Sequence, residues 1–519
     1  MLATEKDDFA VDWEDPADAA LTWMWDHMHN PRPVVPFARR IAETVDQGVT
    51  NSRTRWVNGY PYQTSIELPM PPAEVFERGL SIWPDEYVPR IREWCGKVRA
   101  TDFDAMSSDE LLAALDALVP ESVATFRLTM VMVIAFMMPT MQLVAFSEQE
   151  LGPDGPRLVG NALQGSDNAT SSAGLGLSKL ADVARRSPEV AARVKAGDIA
   201  GIASVPGGPE FAVELDRFLD EFGWRLESWT FVDIPTWAED PAVALQLVAR
   251  YLDESSASPS EAVARSSRDR DAALEEIERR LEPPKREQFL AMMDAAAQHV
   301  SISESRAHWQ LTIIGVLRRP ILALGRKLVT LGALAEPDDV LYLEWGEAER
   351  AVRHPDASTA ALVAERRAEM ERWRALTPPP FVGAPPDVSE VPQQMQMVMK
   401  HFFGMGAMPS TEEREVTGFG ASKGTATGRA RVIKSLSESD RLEPGDILVC
   451  VSTAAPWTPL FAVAGGVVTD SGGVLSHSAI CAREFAIPAV VGTQVGTQRI
   501  PDGAMVTVDG EKGTVRIVG

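Results

Sequence analysis

Apolar residues recur at helical spacing through most of the first 375 residues. Between positions 107 and 118, Leu111, Leu112, Leu115 and Leu118 fall on one face of a helix. The pattern returns further along, and an Ala-, Glu- and Arg-rich stretch near the end is typical of an exposed helix. The segments so predicted to be helical are 107–118, 242–252, 272–281, 311–331 and 360–376. We therefore predict a mostly helical region over residues 1–376.

One apolar run in this region allows two interpretations. The run Leu128–Phe146 contains no charged residue and is almost long enough to span a bilayer. Because it includes polar residues and a proline, we predict instead a buried helix pair that is broken near Pro139. Met137 and the neighbouring methionines either pack in the core or form the adaptable wall of an apolar pocket. No membrane contact is expected.

The composition changes after residue 376. Six prolines between Thr377 and Pro392 favour extended backbone, and the Met-, Gln- and Phe-rich stretch that follows is either a short helix or a mobile strap. We predict a linker over 377–415. Short apolar runs bounded by Gly, Asp and Pro then predict strands at 430–433, 447–451, 466–469, 489–491, 505–508 and 514–518, with a helix over 476–485. The last two strands flank a hairpin turn.

The predicted fold class is therefore α+β. A large helical domain occupies 1–376, and a β/α domain occupies 416–519 after the linker.

Charge and cysteine content exclude several classes of protein. The 519 residues carry a formal net charge of −24, which repels nucleic acid and anionic membranes and otherwise favours solubility. Cys95, Cys450 and Cys481 lack the spacing of a disulfide framework or a structural zinc site, so no metal site is predicted. The acidic N-terminal residues do not resemble a signal peptide. We expect a cytoplasmic protein.

The segment from Thr469 to Glu484 carries the candidate chemistry. An apolar strand runs into Gly472 and Gly473, and a helix is predicted to begin at Ser476 and His477. Glycines allow close approach of backbone to a ligand, and the first turn of a helix favours an anion. A histidine there can attack phosphorus, and its neutral form is well populated at pH 7. A lone histidine is otherwise a satisfied surface or core residue, and these residues by themselves leave both possibilities open.

This segment closely resembles the swivelling phosphohistidine domain of pyruvate phosphate dikinase, phosphoenolpyruvate synthase, rifampicin phosphotransferase and phenylphosphate synthase. The resemblance continues through Ile487-Pro488-Ala489-Val490-Val491-Gly492. It implies that His477 is phosphorylated, that Ser476 orients or binds the phosphate, and that Gly472, Gly473 and Arg483 belong to the phosphate site. For Arg483, six residues beyond His477, helix packing is an equal alternative. Cys481 is interpreted as a small apolar filler.

A weaker resemblance to subunits that phosphorylate aromatic or alcoholic substrates extends upstream. It includes Trp25–Pro36, the turn at 163–170, and Phe222-Gly223-Trp224-Arg225 followed by Pro235-Thr236-Trp237. Trp224 stands where many members have histidine, so the pocket should be more apolar. Among the candidate substrate-binding residues, the arginines would stabilise the transferring phosphoryl group, and His29, His308 and Glu304 are candidate bases. The candidates are His29, Met137, Gln164, Arg225, Glu304, Arg306 and His308, and Arg318 is a further candidate cation.

The resemblance also implies how the phosphoryl group arrives. We find no counterpart of the family's ATP-grasp domain in these 519 residues, as in phenylphosphate synthase, where a separate polypeptide binds ATP. The expected partner is an ATP-grasp subunit that holds ATP and Mg²⁺, and the expected acceptor is a small phenol or alcohol. Alternatives are a protein-to-protein phosphocarrier or regulatory module, a component of an antibiotic phosphotransferase, and a scaffold without phosphotransfer.

Overall fold

A computed structural model describes residues 9–64, 69–164, 169–252, 259–386, 393–406, 410 and 412–518. Its helices are α1 (Pro36–Val45), α2 (Ala73–Arg78), α3 (Val88–Ala100), α4 (Ser108–Leu151), α5 (Gly155–Ala162), α6 (Ala169–Arg185), α7 (Pro188–Lys195), α8 (Ile199–Ile202), α9 (Gly208–Phe222), α10 (Ala242–Tyr251), α11 (Pro259–Arg280), α12 (Pro283–Gly315), α13 (Arg318–Thr330), α14 (Trp345–Arg353), α15 (Ala357–Arg374), α16 (Gln393–His401), α17 (His477–Glu484) and α18 (Gly496–Arg499).

The strands form two sheets. They are β1 (Thr22–Trp25), β2 (Thr54–Val57), β3 (Tyr60–Gln63), β4 (Phe381–Gly383), β5 (Glu415–Thr417), β6 (Phe419–Ser422), β7 (Thr425–Val432), β8 (Ile447–Cys450), β9 (Gly466–Thr469), β10 (Ala489–Val491), β11 (Met505–Asp509) and β12 (Thr514–Ile517). The fold class is α+β, as predicted from the sequence.

The chain folds into two compact units that interleave along the sequence. Unit 1 comprises Met1–Ile134, Ser228–Pro235 and Trp309–Glu390, and unit 2 comprises Ala135–Glu227, Thr236–His308 and Val391–Gly519. Unit 2 therefore combines part of the predicted helical domain with the whole predicted β/α domain. The predicted boundaries at 376 and 415 describe a change of composition along the chain, whereas packing joins segments that are far apart in sequence.

Unit 1 contains a sheet that the helical spacing did not predict. Its antiparallel strands lie in the order β2-β3-β1-β4, around the buried side chains of Trp23 and Tyr62. Strand β4 lies inside the predicted linker and places Val382 opposite Trp23. The proline-rich run is extended, as expected, but the apolar pair Phe381-Val382 completes a sheet, so this part of the linker is not a free spacer.

Two of the helix predictions are wrong in detail. Helix α4 continues through Pro139, where we predicted a break. Its residues Leu143 and Val144 are fully buried beyond the proline, and this packing outweighs the hydrogen bond that proline removes. The predicted helix 311–331 is two helices, because α12 ends at Gly315 and α13 restarts so that Pro320 lies in its first turn.

The stretch Ser108–Ala162 has the length and apolar composition of a membrane span, but 62% of its most apolar window is buried inside the protein. A core helix of a soluble protein has the same properties. This agrees with our interpretation of the apolar run as buried helix, and a cytoplasmic location stays a prediction.

The C-terminal sheet of unit 2 has eight strands in the order β5-β12-β11-β7-β8-β9-β10-β6. Its four central strands, from β7 to β10, are parallel, and the remaining pairs are antiparallel. Every strand predicted after residue 416 is present, and the hairpin pairs Asp509 with Thr514. Strands β8 and β9 are buried throughout, as parallel strands usually are. Helix α17 follows β9 and carries the candidate histidine.

Candidate functional site

His477 is the first residue of helix α17, as predicted. Ser476 precedes the helix with extended backbone, and its side chain accepts a hydrogen bond from the backbone N–H of Ala479. This is an N-terminal cap, which fixes where the helix begins and how His477 leaves it. Ser476 thus positions the histidine, and its proposed contact with phosphate stays a prediction.

The His477 side chain lies against helix α12 of the same unit. Its Nδ1 is 3.2 Å from Oε2 of Glu304, and the two side chains are 16% and 5% exposed. On the other side of the ring, Nε2 is 3.5 Å from the Thr458 hydroxyl and 3.4 Å from the Cys481 sulfur. Glu304 is one of the candidate bases predicted from the sequence, and the structure brings it to the candidate carrier.

Burial and charge act in opposite directions on His477. Burial by itself would lower the pKa of the imidazolium, but Cys481 and Glu304 raise it, and the pKa lies well above 6.5. Burial raises the pKa of the Cys481 thiol, so this group is neutral near pH 7 and the Glu304 carboxylate is the charge that holds the proton. The contact with Glu304, 173 residues away, thus favours the protonated ring in this arrangement, and the neutral imidazole expected from the sequence stays a prediction.

Gly472 and Gly473 do not present free N–H groups in this arrangement. Their N–H groups donate to the carbonyls of Phe403 and Phe402, at 3.0 and 2.9 Å, and the N–H of Leu475 donates to the carbonyl of His401. We call residues 401–404 the linker clamp. Gly473 is required by close backbone approach, but the approaching group is the linker clamp, whereas Gly472 has a φ of +96° and a methyl group there would meet the Ser476 side chain. A phosphate could use these N–H groups only after the clamp had moved.

Arg483 is buried and acts within the domain. Its Nη1 donates to the carbonyls of Ala421 and Val474, at 3.0 and 2.8 Å, and the guanidinium packs against Gly160. Burial lowers its pKa to about 10. These contacts tie the loop before His477 to strand β6, which is the packing alternative. A direct contact of Arg483 with phosphate is not part of this arrangement.

An aromatic and cationic cluster lies one helical turn from Glu304. His308 follows Glu304 by four residues on α12, so both side chains emerge on one face, and its ring meets the edge of Phe222 at 6.0 Å. The guanidinium of Arg225 lies over the rings of Phe222 and Trp237, at 5.3 and 5.9 Å. Its two terminal nitrogens have no hydrogen-bond partner among the described residues. Burial lowers the pKa of Arg225 to about 10.

The remaining candidate residues of unit 2 are Arg306, Gln164 and Met137. Burial lowers the pKa of Arg306 to about 10, against the opposing effect of Glu304. The Gln164 side chain accepts a hydrogen bond from Ser266 and donates one to Asn161. Met137 is buried in α4, and Met141 on the same helix belongs to a hydrophobic core, so core packing accounts for these methionines.

His29 and Arg318 lie in unit 1. His29 stacks on Trp229 with ring centroids 4.2 Å apart, and its Nδ1 is 2.9 Å from Asp26. Arg318 is buried and donates to the carbonyl of Val232. Neither contact involves the surroundings of His477.

Two family models match the chain. A model described as the rifampicin phosphotransferase fourth domain matches residues 127–304, and a model described as the PEP-utilising enzyme, mobile domain, matches residues 442–513. Glu304 is the last residue of the first match, and His477 lies inside the second. The chain belongs to the PEP-utilising, swivelling-domain family. The eight-stranded domain that carries His477 is its mobile domain.

Curated relatives agree with this assignment. A chondramide synthase of Chondromyces crocatus is 30% identical over 98% of this chain and 14% of the relative. A rifampicin phosphotransferase of Streptomyces sviceus is 30% identical over 69% of this chain and 40% of the relative, and an uncharacterized phosphotransferase of Bacillus subtilis, YvkC, is 29% identical over 60% and 37%. The chain spans less than half the length of each.

Sequence reasoning missed two parts of the site. Thr458 reaches Nε2 of His477 from the buried segment Ala455–Ala462, and no pattern in the sequence singled it out. The linker clamp was missed because backbone carbonyls carry no side-chain signature. The predicted short helix α16, directly before the clamp, was the available hint.

Proposed function

We propose that this chain is the phosphohistidine-carrying and acceptor-binding subunit of an ATP-dependent phosphotransferase. His477 takes up a phosphoryl group and passes it to the hydroxyl of a small apolar phenol or alcohol. The observation that carries the proposal is the position of His477 in the mobile domain, with its ring against Glu304 of α12. The names of the phosphotransferase relatives support the same class of reaction.

The surroundings of Glu304 favour an apolar acceptor beside a cation. Phe218, Phe222 and Trp237 form a contiguous aromatic group, and Phe222 meets His308 one turn from Glu304. Arg225 brings a buried guanidinium whose terminal nitrogens are available to phosphoryl oxygens. A preorganised cation of this kind stabilises charge that develops during transfer.

ATP and Mg²⁺ belong, in this proposal, to an ATP-grasp partner subunit. Neither of the two matched descriptions names a nucleotide-binding domain, and they cover the acceptor region and the carrier. The partner would transfer a phosphoryl group from ATP to His477, and the mobile domain would then return to α12. A cytoplasmic location fits this proposal, because ATP is available there.

An antibiotic acceptor is the second candidate. Residues 127–304 match a domain named for rifampicin phosphotransferase, and Glu304 and the aromatic group lie inside that match. A third relative is named for a different product, chondramide, so relatives over this region do not share one named reaction. A protein acceptor would make the chain a phosphocarrier.

The test uses the full chain, an ATP-grasp polypeptide from the same cells, Mg²⁺, and ATP labelled on both its β and γ phosphates. We expect one acid-labile label per chain on His477, which then moves to a phenol or an aliphatic alcohol. Discharge only to rifampicin would establish the antibiotic alternative, and discharge only to a protein would establish the phosphocarrier. If neither ATP with the partner nor phosphoramidate, a small-molecule phosphoryl donor, labels His477, the proposal is wrong.

Arg225 provides a separate test of the acceptor side. The variant Arg225→Gln should load His477 at the normal rate but transfer the group about 100-fold more slowly, because transition-state donors of this kind contribute that much. Rapid-quench measurement of loading and discharge separates the two steps. Normal discharge in the variant would show that Arg225 only packs against Phe222 and Trp237.

A further inference from the structure

Glu304 and His477 form a shielded hydrogen-bonded pair. The carboxylate is 5% exposed, and only the Nδ1 edge of the imidazole faces it, at 3.2 Å. A carboxylate can only accept here, so Nδ1 carries a proton. This fixes one nitrogen of the ring as the donor and leaves the other, Nε2, for phosphorus.

The surroundings of Nε2 are compatible with this assignment. The Cys481 sulfur is 3.4 Å from Nε2 but also only 3.9 Å from Nδ1, so it lies beside the ring and not in line with the outward direction of Nε2. The Thr458 hydroxyl, 3.5 Å from Nε2, is a small group that can donate to a phosphoryl oxygen. Neither group is a strong acceptor that would compete for a second ring proton as Glu304 does.

In the part of the chain that the structure describes, the charged and titratable groups that face the ring come from two helices. Glu304 faces it from α12 and Cys481 from α17, where Glu484 in turn raises the pKa of the Cys481 thiol. With the thiol neutral, Glu304 is, among the residues that the structure describes, the negative charge in contact with the imidazole. Removing the mobile domain from α12 removes that charge.

We propose that Glu304 is a positioning residue that keeps a proton on Nδ1 while the phosphoryl group is on Nε2, so that the phosphohistidine becomes reactive only when docked on α12. This rests on the proposed function and names how the same site is controlled. Away from α12, Nδ1 loses its proton more readily, and an anionic imidazole is a poor leaving group.

The transfer step balances with these groups alone. The acceptor oxygen forms a bond to phosphorus as the P–Nε2 bond breaks, and the electron pair of that bond passes to Nε2. Because Nδ1 keeps its proton, the ring leaves as neutral imidazole. The acceptor hydroxyl loses its proton to Nε2, and the products are the phosphate ester and an imidazolium paired with Glu304. That imidazolium is the form that the raised pKa of His477 favours.

Chemical loading with potassium phosphoramidate tests this without the ATP-binding partner. The full chain is loaded, freed of reagent, and the loss of phosphohistidine to water or to added phenol is followed by intact mass between pH 6 and pH 9. Glu304→Gln should load to the wild-type level but discharge about tenfold more slowly at pH 8, since a shift of one pKa unit changes the protonated fraction about tenfold. The midpoint of its pH profile should move towards that of free phosphohistidine.

Two variants separate positioning from simple docking. Asp269→Asn breaks the ion pair with Lys423 of the mobile domain, 2.7 Å in length, without touching the ring. The rate of discharge should fall by the same factor at every pH, and the midpoint of the pH profile should not change. Glu304→Asp keeps a carboxylate on a shorter side chain, and the midpoint of its pH profile should lie between those of the wild type and Glu304→Gln. If Glu304→Gln does not fold, Glu304→Asp provides the test.

The outcomes distinguish the two proposals. A Glu304→Gln or Glu304→Asp profile that superimposes on the wild type overturns the role of Glu304 and leaves the proposed function standing. A wild-type chain that takes no phosphoryl group on His477, from phosphoramidate or from ATP with its partner, overturns the proposed function itself.

Discussion

The protein holds a histidine against a carboxylate in both units, and the two pairs are built differently. In unit 1, His29 and Asp26 are three residues apart, joined at 2.9 Å, and the histidine is 39% exposed. In unit 2, His477 and Glu304 are 173 residues apart, joined at 3.2 Å, and the histidine is 16% exposed. The first pair forms within one turn of the chain, whereas the second needs two distant elements to meet.

Because of this difference, the two pairs depend on different parts of the fold. Burial by itself would raise the pKa of Asp26, but His29 beside it outweighs burial and lowers the pKa. That pair persists whenever its turn is folded. Under the proposed function, the pair in unit 2 exists only while the mobile domain lies on α12, so its charge state would follow the position of that domain. The proposed carrier, which would have to be stable in transit and reactive on arrival, needs the second kind of pair.

The largest expected effect is the difference in phosphoryl loading between a variant of His477 and a variant of His29. His477→Asn keeps an amide donor near Glu304 but has no nucleophilic nitrogen, so labelling by phosphoramidate or by ATP with its partner should be lost completely. His29→Gln should load within about twofold of the wild type, because the contacts of His29 with Trp229 and Asp26 lie in unit 1 and sites without shared partners act independently. Acid-labile label per chain measures both, and circular dichroism confirms the fold of each variant.

Label retained in His477→Asn would place the phosphoryl group on another residue and end the comparison. If His29→Gln loads normally but discharges slowly, the His29 pair serves the acceptor, as the sequence resemblance implied. Normal discharge would leave it a structural pair.

Unit 1 also contains a buried carboxyl group, that of Asp46, for which the described residues show no ion pair. Burial raises the pKa of Asp46 to about 6, against hydrogen bonds from Thr54 and Gln63, with smaller opposing effects of Asp26 and His29. Between pH 3.8 and about 6 the folded state binds more protons than the unfolded state, so the free energy of unfolding falls as pH rises. The loss should reach about 3 kcal/mol above pH 6.

Asp46→Asn should remove this pH dependence. The free energy of unfolding of the variant and of the wild type is measured with urea at pH 4 and at pH 7. The difference between the two proteins should change from one pH to the other. A difference that stays constant would mean that Asp46 is ionised in the folded protein at pH 4, in conflict with its burial.

The sequence predicted the two units unequally well, for physical reasons that particular residues illustrate. The mobile domain could be predicted almost element by element, because β9, the glycine turn and α17 carry strong local signals in 466–484. The start of α17 was predicted at Ser476 and His477, directly after the glycine turn. Glu304 was predicted only as one of three candidate bases for the acceptor hydroxyl and not as the partner of His477, because nothing local to Glu304 indicates a contact 173 residues away.

Other features were hidden for similar reasons. Pro139 predicts a broken helix unless the burial of the following turns is known. The N–H groups of Gly472 and Gly473 predicted a free anion site, since the carbonyls of Phe402 and Phe403 that fill it lie some 70 residues earlier, in a stretch that the sequence marks as linker.

The linker clamp can be tested by a smaller change. A methyl group at Gly473 would collide with the backbone carbonyls of His401 and Lys400, which cannot turn aside as a side chain would. Gly473→Ala should therefore cost about 2 kcal/mol of unfolding free energy, within the range for overpacked sites. Gly346→Ala is the matched control, because a methyl group there meets nothing within 4 Å and should be neutral or slightly stabilising. Equal stability of the two variants would show that the clamp yields easily.

The smallest expected effect concerns docking itself. Lys423 of the mobile domain pairs with Asp269 of α11 at 2.7 Å, and their side chains are 47% and 25% exposed. An ion pair of this exposure contributes about 0.5 kcal/mol and is screened by salt. Asp269→Asn should thus lower the docked population by about twofold at low salt and by less at 0.5 M salt, measured by hydrogen exchange across the buried start of α17. An effect of tenfold or more that salt does not reduce would mean that this pair, and not the Glu304 contact, holds the mobile domain in place. The comparison of the two histidine pairs would then lose its basis, because the pair of Lys423 and Asp269, and not the pair of His477 and Glu304, would decide whether the mobile domain is docked.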